Sequence, residues 1–142
     1  MRCRSSIQKM LALLSLRFLP LTVVPSLAAL WTPGRLRLRT LTVPQPVPAK
    51  LFWSLTICDP DTHSEIVTDQ GKAALRSLYE LKGKTGSSSV DLYFGPTAPS
   101  GHEGEWIKTN SGKGWFTYFR IYGPGAPAFD GSWKPGDFEE VK

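Results

Sequence analysis

The chain is poor in the residues that most often do chemistry. Its 142 residues include two cysteines and two histidines. Cys3 lies near the N-terminus and Cys58 in a stretch that reads as a strand, so loss of a leader would leave one thiol and no internal disulfide. No histidine sits in a strand beside Cys58, which marks it as a small core or edge residue rather than a nucleophile. Acid is missing from residues 1–49, which carry seven cations: Arg2, Arg4, Lys9, Arg17, Arg35, Arg37 and Arg39. From Lys50 onward ten basic residues face twelve acidic ones, a net charge of −2. The formal +5 therefore belongs to the leader, and the folded part lacks the basic face that nucleic-acid binding needs.

A long apolar run is missing too. Between Met10 and Leu30 the hydrophobic stretch is broken by Arg17, Pro20 and Pro25. A membrane span needs about 20 apolar residues, so the pattern argues against an anchor. Arg2, Arg4 and Lys9 ahead of this stretch, with Ser26-Leu27-Ala28 as a small-x-small cleavage site, have the layout of an export signal. Its unbroken apolar piece, Leu11 to Leu16, is short for one. Residues 1–37 thus read as a leader, either signal-like or a disordered extension. Export to the periplasm follows from the first reading and a cytoplasmic location from the second.

Familiar catalytic devices are also absent. Gly83-Lys84-Thr85 looks like the end of a phosphate loop, but the glycine required five residues earlier is Leu78. Gly112-Lys113 fails in the same way at Ile107. His102-Glu103 has Trp106 where a zinc-protease helix needs its second histidine, and no serine sits in a Gly-x-Ser-x-Gly elbow. No cofactor is implied.

What the chain does contain is turn formers and apolar alternation. Thirteen glycines and twelve prolines favour short elements over long helices, and 41% hydrophobic content supplies one core. Leu36, Leu38, Leu41 and Val43 recur near period two. In Leu51-Phe52-Trp53-Ser54-Leu55-Thr56-Ile57-Cys58, Trp53, Leu55 and Ile57 share one face, with Phe52, Ser54 and Thr56 on the other. Val90 to Phe94, Trp106 to Lys108 and Trp115 to Tyr122 read as further strands. Segment 70–81 fits one helix by propensity, with Ala73, Ala74, Leu78 and Leu81 as its apolar side. The expectation is an all-β fold: an antiparallel β-sandwich of five to seven strands, at most one or two short helices, and a disordered leader.

Several rare motifs occur in a telling order. They are Val43 to Lys50 (Val-Pro-x-x-Val-Pro-Ala-Lys), Phe52-Trp53-Ser54, and Asp91-Leu92-Tyr93-Phe94-Gly95-Pro96. Gly114-Trp115-Phe116, Arg120-Ile121-Tyr122-Gly123-Pro124 and Trp133-Lys134-Pro135-Gly136 follow. Residues 38–142 resemble the C-terminal module of the proteins called domain of unknown function 1214. The resemblance implies a jelly-roll type of sandwich, commonly in exported bacterial proteins, and implies no activity. In that family the module usually follows a second one, domain of unknown function 1254. Here only the leader precedes it, so the chain reads as a fragment or stand-alone version. An open sheet edge would then be covered by a 1254-type module or by a second copy.

Three kinds of function stay in play. The first is a non-catalytic structural or interaction module, favoured by the missing catalytic spacings. The second is a sugar or small-molecule binder using Trp106 and Trp133, which lie beside loops. Arg120, opposite Phe119 on its strand, is expected to pair with an acid such as Asp91 or Asp130, with anion binding as the alternative. The third is a metal-dependent hydrolase fragment built on Asp59, Asp61, His63 and Glu65. Those four donors share a face only if the chain is extended, and Pro60 favours a solvated turn. A calcium loop would also need glycine where Ser64 stands and glutamate where Gln70 stands.

Overall fold

Alternating apolar residues set the long strands. A computed structural model of the chain describes Leu21–Val24 and residues 37–141. The leader expectation therefore lies outside the described residues, apart from Arg37 and the backbone of Leu21–Val24, which forms β1. The other strands are β2 (Arg39–Pro44), β3 (Ala49–Cys58), β4 (Ala74–Arg76), β5 (Ser89–Gly95), β6 (Trp106–Lys108), β7 (Phe116–Pro124) and β8 (Phe138–Glu140). Every second residue of the long strands turns inward, which buries Leu41 and Val43 of β2 and Trp53, Leu55 and Ile57 of β3. Val90, Leu92 and Phe94 of β5 and Phe119 and Ile121 of β7 join them in one core.

Two four-stranded sheets enclose that core, in the orders β1-β7-β3-β4 and β6-β5-β2-β8. The fold is an all-β sandwich. Strand pairing is antiparallel except for β5 and β6, which run parallel with Tyr93 opposite Trp106. The sandwich is antiparallel, as expected, apart from that one pair. Eight described strands exceed the expected five to seven because β1 lies within the expected leader and the short edges β4 and β8 carry no apolar alternation.

The helix expected over 70–81 is not formed. Leu75 pairs with Leu55 as a strand residue and is fully buried, whereas Leu78, on the supposed apolar side, is 52% exposed. A helix here would leave β3 without its neighbour and the core without Leu75, so tertiary packing overrides propensity. Helical structure among the described residues is limited to two 3₁₀ turns, Glu103–Glu105 and Ala126–Ala128. No helix among them is long and apolar enough to cross a membrane. Cys58 is fully buried at the end of β3 and is not a free thiol.

The Trp133-Lys134-Pro135-Gly136 segment clasps the second sheet. The Trp133 indole N–H donates to the Pro44 carbonyl at 3.1 Å, and the Gly136 N–H donates to the Thr42 carbonyl at 2.8 Å. A Cβ at position 136 would lie 2.8 Å from that same oxygen, so only glycine allows this approach.

Candidate functional site

The outer face of the first sheet differs from an ordinary solvated one. β3 and β7 pair in register, with Phe52 opposite Tyr122, Ser54 opposite Arg120, Thr56 opposite Tyr118 and Cys58 opposite Phe116. Their partners on the alternate positions fill the core, so these eight side chains share the outward side. Ser54 and Thr56 are nonetheless buried, and the larger residues rise around them. Phe52 and Tyr122 stack at 4.0 Å with 13° between their planes, and Phe116 meets Tyr118 edge-on at 5.2 Å. The result is a small-residue floor between aromatic walls.

Arg120 stands in the middle of this face and is half-buried. One of its N–H groups donates to the Thr56 hydroxyl at 3.0 Å, and its guanidinium lies 5.1 Å from the Tyr118 ring centroid. The expected pairing with Asp91 or Asp130 is not made. Asp91 belongs to the other sheet and accepts the Thr42 hydroxyl at 2.6 Å, while Asp130 accepts the Ser132 N–H at 2.8 Å. No carboxylate forms an ion pair with Arg120 among the described residues. Arg76, in the same cross-strand row beyond Ser54, is bound to Glu80.

The four donors proposed for a metal are not gathered as ligands. Asp59 closes its own turn, accepting the N–H groups of Asp61 at 2.9 Å and Thr62 at 3.0 Å. The Thr62 and Asp61 N–H groups, in that order, hold its carboxyl below the ordinary aspartate value. The His63 ring leans on Phe116 at 5.8 Å, and Glu65 bridges back to Cys58 through its backbone. No cluster of three or more His, Cys, Asp or Glu side chains fit to hold a metal occurs among the described residues. Calcium, zinc and manganese are each expected to leave the unfolding midpoint unmoved, as is His63→Ala. A metal held by the folded state at a hundred times its dissociation constant would add about 2.7 kcal/mol, a shift that thermal scanning would register.

Trp106 and Trp133 are half-buried, and each spends its indole N–H on the fold. Trp106 donates to the Gly95 carbonyl at 2.9 Å and Trp133 to Pro44. The Trp133 ring packs 5.6 Å from Phe119. The sequence favours these two rings because they sit beside loops, and it offers Tyr118 and Tyr122 as possible cleft residues without joining them to Phe52. The signal was present in the alternation of Phe52, Ser54 and Thr56 opposite the core positions of the same strand.

Comparison with known proteins places the module. The family described as "protein of unknown function (DUF1214)" matches residues 35–126, more than half of the chain. The chain belongs to the DUF1214 family. No curated protein matches the sequence. The crystal structure of the VPA0106 protein from Vibrio parahaemolyticus is similar in fold, with a TM-score of 0.63 and 15% sequence identity. The likeness covers 78% of this chain and 27% of that protein, so the matched fold is a minor part of a larger chain there.

In this DUF1214 module side chains close two of the sheet edges, β4 and β6. On β4, the Arg76 N–H donates to Glu80 at 2.9 Å, and the Arg76 carbonyl accepts the N–H groups of Tyr79 and Leu81. Burial works to raise the Glu80 carboxyl, but its hydrogen bonds to Arg76 outweigh that and hold it below its ordinary value. On β6, the Gln70 amide replaces a neighbouring strand. Its Nε2 donates to the Trp106 carbonyl at 3.2 Å and its Oε1 accepts the Lys108 N–H at 2.7 Å. Strand β8 ends in Glu139 and Glu140, both exposed, and charged short edges resist strand addition. The excursion between β4 and β5 is tied down by the ion pair of Lys84 with the buried Glu105. Burial lowers the nearby Lys72 ammonium while Glu80 and Glu105 pull it back up.

Proposed function

We propose that this chain is a non-catalytic interaction module that docks a folded partner, a 1254-type module or a second copy, on the outer face of the β1-β7-β3-β4 sheet. The observation that carries the reading is the aromatic face itself: a stacked Phe52–Tyr122 pair and a half-buried Arg120 on Tyr118, around a floor of Ser54 and Thr56. Faces of this kind, rich in Tyr, Phe and Arg and poor in Lys and Glu, have the composition of interface centres. The edges of β4 and β6 are capped by Glu80 and Gln70, which supports face-to-face docking over strand addition. The fold's minor share of the Vibrio protein is in keeping with a module that works beside other modules.

Sedimentation of the full chain, alone and with a purified 1254-type module, tests this. The expected outcome is a complex, either homomeric or mixed, that Tyr122→Ser weakens while the unfolding midpoint stays nearly unchanged. A chain that remains monomeric in both mixtures overturns the reading. A saccharide that raises the unfolding midpoint in such a monomer would assign the aromatic face to small-molecule binding instead.

A further inference from the structure

Among the described residues, Arg120 is a charge without a counter-charge. Its guanidinium is half-buried, donates to the neutral Thr56 hydroxyl, and faces the Tyr118 ring. Its remaining N–H groups find no acceptor among the described residues. Removing a guanidinium even partly from water is unfavourable unless something polar or anionic replaces the lost hydration. The chain's own leader cannot supply an anion, because residues 1–49 contain no aspartate or glutamate. The other cation of the row, Arg76, is already satisfied by Glu80, so among the described residues of that row the unmatched positive charge is Arg120.

We propose that Arg120 anchors a carboxylate-binding site on this face, and that its occupant is an aspartate or glutamate side chain of the docking partner, flanked by apolar residues. A planar guanidinium whose outer N–H groups meet no acceptor among the described residues matches a carboxylate in a bidentate pair. The Phe52–Tyr122 stack on one side and Tyr118 with Phe116 on the other receive the apolar neighbours of that acid. Phosphate-rich partners are disfavoured because, among the described residues, Arg120 is the one cation centred on this floor, where phosphate binding gathers several. The identity of the occupant rests on the docking reading above, but the site itself is testable on the chain alone.

The test titrates the full chain, followed by NMR, with the peptide acetyl-Leu-Glu-Leu-amide and with its counterpart carrying glutamine. The Glu peptide is expected to shift the Arg120 Nε–H and Tyr118 ring signals saturably, and the Gln peptide to bind about tenfold more weakly, the loss of one charge-assisted bond. Arg120→Gln should bind both peptides alike, and Arg120→Lys should keep part of the preference. Equal binding of the two peptides by the wild-type chain overturns the site without recourse to any variant, and so does the absence of saturable shifts. Discrimination that survives in Arg120→Gln overturns it as well. A wild-type chain that discriminates between the peptides yet binds no module sinks the docking reading and leaves the carboxylate site standing.

Discussion

Phe119→Ala is expected to destabilise the chain by about 3–5 kcal/mol, the usual range for removing a large buried aromatic side chain. Phe119 is 2% exposed at the centre of β7, opposite Leu55 of β3. Its ring stacks on Trp53 at 5.2 Å with 14° between the planes, and Trp133 lies against it at 5.6 Å. The three rings join β3, β7 and the C-terminal clasp, so the cavity left by alanine would lie between elements that cannot easily close over it. A domain of this size has only about 5–15 kcal/mol in all, so the variant should be close to unfolding at physiological temperature. Urea unfolding followed by both tryptophan fluorescence and far-UV circular dichroism measures the loss. Tyr122→Ala is the control: it removes an outer-face ring stacked on Phe52 and should cost far less. Equal losses in the two variants would mean that the ring cluster at Phe119 is not the centre of the core.

The long strands were legible because each has a core of period two. Trp53, Leu55 and Ile57 announce β3, and Val90, Leu92 and Phe94 announce β5, in both cases with every inward residue nearly or fully buried. Segment 70–81 misled because its decisive interactions are distant in sequence. Leu75 is held by Leu55 and Gln70 by β6, and neither contact leaves a local pattern. Alternation puts Arg120 on the face opposite Phe119, but it does not name the partner, which is Thr56 rather than Asp91 or Asp130. Choosing between Asp91 and Thr56 requires knowing that β3 lies beside β7 while β5 lies in the other sheet. The same pairing assembles the outer aromatic face, whose members come from two strands some 60 residues apart, as the separation of 64 between Arg120 and Thr56 illustrates. Spacing along one strand showed half of that face, and topology supplied the rest.

Gln70→Ala should show that the β6 edge is closed by a side chain. The Gln70 amide makes both of the hydrogen bonds that a neighbouring strand would make to Trp106 and Lys108, at 3.2 and 2.7 Å. Alanine leaves a carbonyl and an N–H of the backbone without these partners, at an expected cost of about 1–2 kcal/mol for a partly buried pair. The larger consequence is association. A bared strand edge is a template for pairing, so the variant should become concentration-dependent in sedimentation where the parent chain does not gain mass by this route. Gln70→Glu separates the two bonds, since a carboxylate still accepts the Lys108 N–H but cannot donate to the Trp106 carbonyl. It should therefore lie between the wild type and alanine in stability, and the neighbouring Lys108–Asp69 ion pair, at 2.7 Å, should be disturbed by the added negative charge. If Gln70→Ala keeps both the stability and the mass distribution of the parent, β6 is protected by its shortness alone. The amide cap would then be incidental, and strand addition at β6 would again compete with docking on the outer face.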